Sequence, residues 1–435
     1  MDIAQHYDDI ARCNRCGFCQ VACPVFRANG YEAGVARGRV ALLRALIEGR
    51  VPWDAGLEDP LFNCLLCGAC TANCFPAVAT ADLMLEARRE YLDRVGRSQL
   101  HRLLFRRLLP YPRRLRLAAR AAAFAKKTGL SQVAKALGLL RILGRDFPQA
   151  EEIVRRFPDR AFRDEVAPGP LAGTGDLTIG YFVGCGTDIL FPHGAAATVG
   201  HLRRMAKTVH VLANCCCGLP PMTYGDRTAA RELAEKNLQL FAAGPFDLVV
   251  TDCSSCAAFL KKYPTLFPED DPRRQTALAH AGRVRDLVEL LPRGAAGPPA
   301  PPDEKTIATY HDPCHAVRGQ QLVGQPREFL RSLSGVEYRE LPEADWCCGG
   351  AGSFALTHYD LARKILDRKI DNVERTGANL LVTSCPACVL HLRYGIEKRA
   401  LPVRVCHIAE LVSTAAAAVP EEPAGSPGPA AAHGS

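Results

Sequence analysis

Eight cysteines in two short runs near the N-terminus are the clearest chemical motif of this 435-residue sequence. Both runs read C-x2-C-x2-C-x3-C, with a proline directly after the first run and one residue later, after Phe75, in the second. Three thiolates at this spacing can wrap a short loop around one inorganic cubane, so the pattern is typical of a [4Fe-4S] cluster. In two-cluster proteins the fourth cysteine of each run reaches the other cluster. The predicted ligand sets are therefore Cys13, Cys16, Cys19 and Cys74 for one cluster, and Cys64, Cys67, Cys70 and Cys23 for the other.

A zinc site or a disulfide framework also uses the C-x2-C spacing. Two complete copies of the longer run favour iron–sulfur clusters over both alternatives. The twenty cysteines would suit a secreted protein, but the N-terminal residues have neither the basic nor the apolar region of a signal peptide. No apolar run approaches 18 residues, so no membrane-spanning helix is predicted. We therefore expect a cytoplasmic protein whose clustered thiols bind metal.

Ten further cysteines recur in an internal repeat. Each copy has one cysteine, then an adjacent pair before a glycine, then C-x2-C, and corresponding cysteines are offset by 129, 131 and 132 residues. So small a drift indicates a duplication. Five thiols exceed the four that a zinc ion or a cubane needs, so an unusual cluster, a cluster beside a reactive thiol and a catalytic disulfide all remain open. The two sets are Cys185, Cys216, Cys217, Cys253 and Cys256, and Cys314, Cys347, Cys348, Cys385 and Cys388.

Residues next to these sets leave some assignments open. Cys215 makes the first pair a triplet, and only the following Gly218 favours Cys216 and Cys217 as the pair. Cys406 lies outside every motif and is interpreted as a core thiol. His311 and His315 flank Cys314, where capping a helix or filling a polar niche is favoured over tuning a cluster or relaying a proton.

Short runs rich in Val, Ile and Leu precede several of the repeated cysteines and alternate with helical stretches such as 229–241 and 359–375. This alternation predicts a parallel sheet with right-handed crossovers, in which ligands bind beyond the carboxyl ends of the strands. Helical periodicity over 36–49 and 81–92 predicts a mostly helical N-terminal module. The predicted fold class is α/β, with a helical module for two [4Fe-4S] clusters followed by two duplicated parallel-sheet domains.

Domain limits follow from changes in composition. We expect the helical two-cluster domain at 1–100, a basic helical connector at 101–170, the first cysteine-rich domain at 171–295, the second at 303–414 and a disordered tail at 415–435. Residues 167–175 and 292–302, both rich in proline, glycine and alanine, are interpreted as linkers.

The connector carries much of the net charge of +8, with twelve Lys or Arg residues and a single acid between His101 and Asp146. Its interpretation as a solvated face, or as a clamp for an acidic partner protein, is favoured over contact with an anionic membrane. A peripheral position on the inner face of the cell membrane, or contact with a quinone reductase, is the alternative. No aromatic-rich or groove-reading motif accompanies the charge, so nucleic acid is not expected as a partner.

The repeat resembles the cysteine-rich CCG domain that occurs twice in heterodisulfide reductase catalytic subunits and in iron–sulfur subunits of glycolate and D-lactate oxidases. With the N-terminal bacterial ferredoxin-type module, the resemblance covers nearly the whole chain. Tyr310-His-Asp-Pro-Cys-His315 and Cys347-Cys-Gly-Gly-Ala-Gly-Ser353 are similar to the glycolate and lactate oxidase group in particular. The resemblance implies that each five-cysteine set could hold a further [4Fe-4S] cluster, which in the heterodisulfide reductases is of noncubane type. Both terminal C-x2-C motifs are whole here, which moves some weight toward the disulfide-reductase branch.

Iron–sulfur clusters move single electrons. No G-x-G-x-x-G follows a strand, so the chain has no recognisable dinucleotide site and a flavin-bearing partner must handle the two-electron chemistry. The favoured hypothesis is an electron-transfer subunit that passes electrons from an FAD-binding 2-hydroxyacid (glycolate or lactate) dehydrogenase subunit to a quinone or another carrier. The alternative is a heterodisulfide-reductase-like catalytic subunit that reduces a disulfide at a CCG-site cluster.

Overall fold

The computed structural model describes residues 3–96, 98–292 and 305–416, with side chains described as far as residue 412. Almost all of the predicted linker at 292–302 and of the predicted tail at 415–435 lies outside the described residues.

The N-terminal module is helical, as predicted. Val40 and Leu43 of one helix share a buried hydrophobic cluster with Leu83 and Met84 of another, which fixes the frame around both cysteine runs. Three single turns of 3-10 helix, Ile3–His6, Glu32–Gly34 and Ala55–Leu57, join its parts. The α-helices are α1 (Tyr7–Ala11), α2 (Phe18–Ala22), α3 (Pro24–Asn29), α4 (Ala36–Ile47), α5 (Glu58–Phe62), α6 (Ala69–Ala72) and α7 (Thr80–Arg94).

The connector is a series of short and medium helices. Pro112 begins the longest of them, a position where its missing N–H costs nothing. Phe105 and Leu109 are buried in the hydrophobic cluster of the first α/β domain and anchor the connector to it. Its helices are α8 (Gln99–Leu103), a π-helical turn (Leu104–Leu108), α9 (Pro112–Lys127), α10 (Leu130–Ala136), a 3-10 helix (Leu139–Leu143), α11 (Phe147–Ala150), a 3-10 turn (Glu151–Ile153) and α12 (Phe162–Glu165).

The first repeat folds around a five-stranded sheet of order β1-β3-β2-β4-β5. Four strands are parallel, and Tyr181 of β2 pairs with Val250 of β4 at its centre. The strands are β1 (Gly169–Ala172), β2 (Leu177–Tyr181), β3 (Ala206–Val211), β4 (Leu248–Thr251) and β5 (Val284–Asp286). The helices are α13 (Cys185–Leu190), α14 (Pro192–Met205), α15 (Leu219–Thr223), α16 (Arg227–Ala242), α17 (Ser254–Lys261) and α18 (Pro272–Ala281), with 3-10 helices at Tyr263–Leu266 and Leu287–Leu290.

The second repeat has a four-stranded parallel sheet of order β7-β6-β8-β9, the same order without the counterpart of β1. Tyr310 of β6 pairs with Val382 of β8, which matches the register of the first sheet. The predicted α/β fold class is confirmed. The elements are β6 (Thr306–Tyr310), β7 (Val336–Tyr338), β8 (Leu380–Thr383), β9 (Arg404–His407), α19 (Cys314–Gln320), α20 (Gly324–Ser332), α21 (Phe354–Thr357), α22 (Tyr359–Thr376), α23 (Pro386–Lys398) and α24 (Ile408–Ala416).

The linker predicted over 167–175 is wrong for its middle part, which forms strand β1. Leu171 and Ala172 pair antiparallel with Val209 and Thr208 of β3. An edge strand has a single hydrogen-bonded neighbour and therefore tolerates Pro170, whereas a central strand would not. The first sheet is thus mixed at one edge rather than wholly parallel.

The two repeats pack directly on each other. Helix α24 of the second repeat lies against α14 of the first, and α17 lies against α19. Buried Ser254 donates from its backbone N–H to the carbonyl of Ser384 at 3.2 Å, and the two hydroxyls are 2.8 Å apart. This interface brings the carboxyl ends of β4 and β8 together.

Candidate iron–sulfur centres

Both cysteine loops of the N-terminal module have the same backbone path. Arg15 and Gly17 have φ values of 54° and 88°, and Leu66 and Gly68 in the second loop have 53° and 72°. Two left-handed residues in each loop curl the chain tightly between its first and third cysteines. A cavity of about 30 Å³ lies at the first loop, lined among others by Cys13, Cys16, Cys19, Cys70 and Cys74. The structure thus brings Cys74 of the second run to the first three cysteines of the first run, a group here called ferredoxin site A.

The exchange is reciprocal, because Cys23 of the first run lies with the second run. Burial raises the pKa of the Cys23 thiol, and the nearby Cys64 raises it further. Burial likewise raises the pKa of Cys70, to about 12, and the nearby Cys64 and Cys23 add to this effect. So many apposed thiolates repel one another unless a cation separates them. Cys23, Cys64, Cys67 and Cys70 are here called ferredoxin site B.

Five cysteines of the first repeat form one connected group, the first CCG site. Cys185 begins helix α13, and Cys253 directly precedes α17, whose first turn carries Cys256. The thiol of Cys216 hydrogen bonds to those of Cys185 and Cys217, and the thiol of Cys256 bonds to those of Cys217 and Cys253. Hydrogen bonds from Cys216 and Cys256 lower the pKa of Cys217 below that of an ordinary thiol.

Cys215 and Cys406 lie apart from these groups. The thiol of Cys215 is 3.4 Å from Oδ1 of Asn237 and 3.7 Å from the carbonyl of Leu233, both on α16. Cys406 is buried on β9 in a hydrophobic cluster, where desolvation raises its pKa to about 12.

The second CCG site repeats this arrangement. Cys314 begins α19, and Cys385 directly precedes α23, whose first turn carries Cys388. The thiol of Cys347 hydrogen bonds to those of Cys314 and Cys348, and the thiol of Cys388 bonds to those of Cys348 and Cys385. The predicted convergence of five thiols at the carboxyl end of the sheet is therefore present in both repeats.

The glycine after each cysteine pair has a steric role. Gly218 and Gly349 have φ values of 96° and 87°, which favour glycine. A Cβ atom would lie 3.0 Å from the carbonyl oxygen of Ala230 in the first repeat and 2.8 Å from that of Ala362 in the second. The cysteine pair can therefore pack against α16 in the first repeat, and against α22 in the second, only because the residue that follows it is glycine.

The four thiol groups are adjacent in an order that differs from the sequence. Burial raises the pKa of Cys67 in ferredoxin site B, and Cys314 of the second CCG site lies close enough to raise the pKa of Cys67 further. Arg318, one turn after Cys314, reaches the carbonyl of Cys67 at 3.5 Å. The thiols of Cys253 and Cys385, equivalent residues of the two repeats, hydrogen bond across the repeat interface. The line therefore runs from site A to site B, then to the second CCG site, and last to the first.

Two polar residues at these junctions are absent from the sequence-based site. The hydroxyl of Ser255 is 3.0 Å from Nδ1 of His315 and 3.4 Å from Sγ of Cys385, so it joins the two repeats. The place of Ser255 within the predicted C-x2-C motif was a signal, but its contacts were not predictable, because both partners belong to the other repeat. Arg318 could have been found, since four residues on a helix place it on the same face as Cys314.

The donor sets fit iron–sulfur clusters. All twenty cysteines are free thiols, although many of them touch. Sites A and B offer four soft thiolates each and the CCG sites five each, which suits iron with inorganic sulfide. Backbone N–H groups point at several sulfurs, as in such sites, with distances of 3.4 Å from Leu66 to Cys64 and from Val78 to Cys74, and 3.5 Å from Gly218 to Cys216.

Three family models match the chain. The 4Fe-4S dicluster domain matches residues 9–77, and the cysteine-rich CCG domain matches twice, at 179–261 and 308–393. The linker region of glycolate oxidase iron–sulfur subunits matches residues 96–154, which covers most of the connector. The matches span the ferredoxin sites and both CCG sites.

A protein of Bacillus subtilis (strain 168) named "Probable glycolate oxidase iron-sulfur subunit" is 30% identical over 429 residues, covering 94% of this chain and 94% of that protein. This chain belongs to the family of glycolate oxidase iron–sulfur subunits. The "Glycolate oxidase iron-sulfur subunit" of Escherichia coli (strain K12) is 28% identical over 88% of this chain and 90% of its own. "Lactate utilization protein A" of Geobacillus kaustophilus is 31% identical over 54% of this chain and 99% of its own.

Family membership makes this an iron–sulfur protein with [4Fe-4S] clusters in its dicluster domain, as the sequence predicts. Among solved structures, glutamate racemase RacE1 of Bacillus anthracis covers 57% of this chain and 82% of its own at 12% identity, with a TM-score of 0.26 that is too low to carry an argument. Within the described ranges, none of the helices has both the length and the apolar character that crossing a membrane requires.

Proposed function

We propose that this glycolate oxidase-type iron–sulfur subunit carries electrons for a complex that oxidises glycolate or lactate. A flavin-bearing partner subunit takes the electron pair from the 2-hydroxyacid, and this chain passes the electrons on singly. The relatives named after glycolate oxidase and lactate utilization support the substrate class. The adjacency of four thiol groups in one line is the observation that carries the proposal.

Under this proposal each site has the ligands that the sequence predicts. The domain limits are shifted slightly from the predicted ones, because β1 (Gly169–Ala172) crosses the limit at 170 and α24 (Ile408–Ala416) crosses the limit at 414. Bound clusters supply reversible one-electron transfer. The protein's own part is to hold neighbouring sites in contact. Cys23, Cys67, Cys314 and Cys348 all belong to or pack against one hydrophobic cluster that joins the N-terminal module to the second repeat.

The exposed end of the line suits a partner protein. Cys16 is exposed in site A, and large apolar side chains stand in solvent on the same part of the module. Phe75 is 90% exposed directly after Cys74, and Phe18 and Val21 are 63% and 62% exposed on α2, around Cys19. Exposed apolar groups of this size beside a redox site favour a docking face, which we assign to the flavin-bearing subunit.

The connector supplies a second surface. Eleven of the eighteen exposed large apolar side chains in the described residues lie between Leu100 and Leu143, interspersed with arginine and lysine. A fully solvated face would not need them, so we assign this surface to an anionic membrane rather than to solvent.

A cavity of about 1190 Å³ adjoins this surface and opens beside Cys64 of site B. Aromatic rings dominate part of its wall, and His101 lies 4.4 Å from Tyr224 between ring centroids. Phe105, Phe354 and His358 also line it. Its size and lining suit a quinone, which we propose as the acceptor.

Disulfide reduction at a CCG site has less support. Cys216 and Cys217 are buried in the first CCG site, and Cys347, Cys348 and Cys385 are buried in the second. A disulfide substrate would have to reach sulfur atoms that the fold covers.

The test is anaerobic purification of the tagged chain from its host. We expect brown protein with acid-labile sulfide and a co-purifying flavoprotein that oxidises glycolate or lactate. A flavin-free preparation that reduces a disulfide with a one-electron donor would instead support the alternative. Colourless protein without sulfide would end both hypotheses.

The first CCG site can be tested in the same material. Replacing Cys253 and Cys256 by serine is expected to remove the signal of one CCG-site cluster and to spare both ferredoxin sites, because these two thiols belong to the first CCG site alone. Cys406→Ser is the matched control, a buried thiol outside every site, and should leave all signals in place. Spectra unchanged by the double substitution would contradict the ligand assignment.

A further inference from the structure

The two CCG sites differ at positions that the fold makes equivalent. The backbone N–H of Phe182 donates to the carbonyl of Val250 at 2.8 Å, and that of His311 donates to the carbonyl of Val382 at 2.9 Å. Both residues directly follow the central strand of their sheet. His311 therefore occupies in the second repeat the place of Phe182 in the first.

The same replacement occurs on the helix that follows the last cysteine pair. Phe259 and His391 are each the third residue after Cys256 and Cys388. Phe259 packs on Gly218, and His391 packs on Gly350, so both face the loop of the cysteine pair. The first CCG site is thus walled by phenylalanine where the second is walled by histidine.

His311 is placed as a ligand would be. One of its ring nitrogens and the sulfurs of Cys348 and Cys388 all lie within 4.8 Å of one another. The side chain is 1% exposed, and its Nδ1 has no hydrogen-bond partner among the described residues. The ring also hydrogen bonds to the thiol of Cys348. An iron atom bound by that thiolate would take the ring nitrogen that faces it as a further ligand.

His315 and His391 are weaker candidates for this role. Nδ1 of His315 is already 3.0 Å from the hydroxyl of Ser255. His391 has two unpartnered ring nitrogens, but it does not belong to the group of side chains close enough to share one metal ion. Among the described residues, His311 is the histidine that lies with two thiols in a group close enough to share one metal ion.

We propose that the second CCG site is a mixed imidazole–thiolate centre with His311 as an iron ligand, whereas the first is ligated by thiolates alone. This inference rests on the proposed occupancy of the CCG sites by clusters. An imidazole that takes the coordination position of one of the five thiolates leaves the centre less negative, and histidine ligation raises the reduction potential of iron–sulfur centres. The second CCG site, next to ferredoxin site B, is then the stronger electron acceptor of the two.

The test uses the full chain, reconstituted anaerobically with iron and sulfide and labelled with ¹⁵N-histidine. Pulsed EPR of the reduced protein is expected to show a strongly coupled histidine nitrogen. His311→Phe, which installs the residue of the first repeat, should abolish this coupling and shift one midpoint potential to a more negative value. His311→Cys should abolish the coupling but retain the iron content, because a thiolate replaces the imidazole.

Phe182→Leu is the matched control at the equivalent position and should leave the nitrogen coupling unchanged. A coupling that persists in both His311 variants, or one as weak as that of a histidine that only hydrogen bonds to sulfur, overturns the proposal. Iron content separates the two levels of inference. If His311→Phe and the pair Cys253→Ser and Cys256→Ser all leave iron and sulfide at the parental level with no CCG-site signal in any sample, the proposed cluster occupancy fails and this proposal fails with it.

Discussion

Asp286 is a buried carboxyl group that makes the stability of the protein depend on pH. It ends β5, accepts from the backbone N–H of Val288 at 3.1 Å and from Nε2 of Gln320 at 2.9 Å, and is fully buried. Desolvation raises the pKa of its carboxyl to about 6. The folded protein therefore holds this proton more tightly than the unfolded chain, so the free energy of unfolding falls as pH rises from about 4 to about 6 and stays low above that range.

Asp286→Asn is expected to stabilise the protein above pH 6, by up to about 3 kcal/mol, since the neutral amide avoids the cost of a buried charge. The gain is smaller to the extent that the new N–H₂ group meets Nε2 of Gln320, which donates to Oδ2 of Asp286 at 2.9 Å in the parental chain. Melting temperatures under anaerobic conditions should show a larger gain at pH 8 than at pH 5. Asp271→Asn is the control: Asp271 caps α18, and its pKa is lowered to about 2 by hydrogen bonds from Arg273, so no gain is expected there. A gain from Asp286→Asn that is equal at both pH values would contradict this account.

Among the elements, helix α9 makes the membrane proposal testable. Arg113, Leu117, Phe124 and Lys127 recur at helical spacing and share one face, with Leu117 and Phe124 66% and 62% exposed. Other charges of the connector are used internally, as in the ion pair of Arg116 with Asp188 at 3.2 Å. Leu117 and Phe124, which lie between the basic residues Arg113 and Lys127, therefore remain available to contact an external surface.

Replacing Leu117 and Phe124 by serine should weaken binding to phosphatidylglycerol vesicles at least about tenfold, because each large apolar side chain contributes about 1.5–3 kcal/mol when fully buried and 1.4 kcal/mol is a factor of ten. Co-sedimentation with vesicles measures the effect. Leu278→Ser, at an apolar residue on α18 that is 47% exposed, is the control and should not alter binding. Parental binding that is as strong on phosphatidylcholine vesicles would argue against the role of the basic residues.

The elements also show what the sequence can predict. Helical periodicity indicated the N-terminal module, and strand–helix alternation with a nearly constant repeat offset indicated both α/β domains, because each depends on a local or periodic pattern. Strand β1 was not predicted, because Gly169 and Pro170 are typical of a linker and form a strand only through pairing with β3. The arrangement of the four thiol sites in one line was not predicted either, because it depends on the repeat interface, where Ser255 contacts His315 and Cys385. Contacts between distant segments leave no local pattern.

At the scale of the whole molecule, the order of the sites makes ferredoxin site B an obligatory link. Site A and the CCG sites meet through it, since Cys19 of site A and Cys314 of the second CCG site lie beside Cys70 and Cys67 respectively. Cys67→Ser should therefore slow the reduction of the CCG sites by substrate at least about tenfold and leave the reduction of site A at the parental rate. The measurement is freeze-quench EPR of the complex with its flavoprotein after mixing with glycolate or lactate.

Dithionite, a small reductant that bypasses the line, should still reduce the CCG sites of the variant, which separates a broken link from a lost centre. Parental rates of CCG-site reduction by substrate in Cys67→Ser would mean that electrons enter at another surface, and the apolar face around Phe75 would then lose its assigned partner.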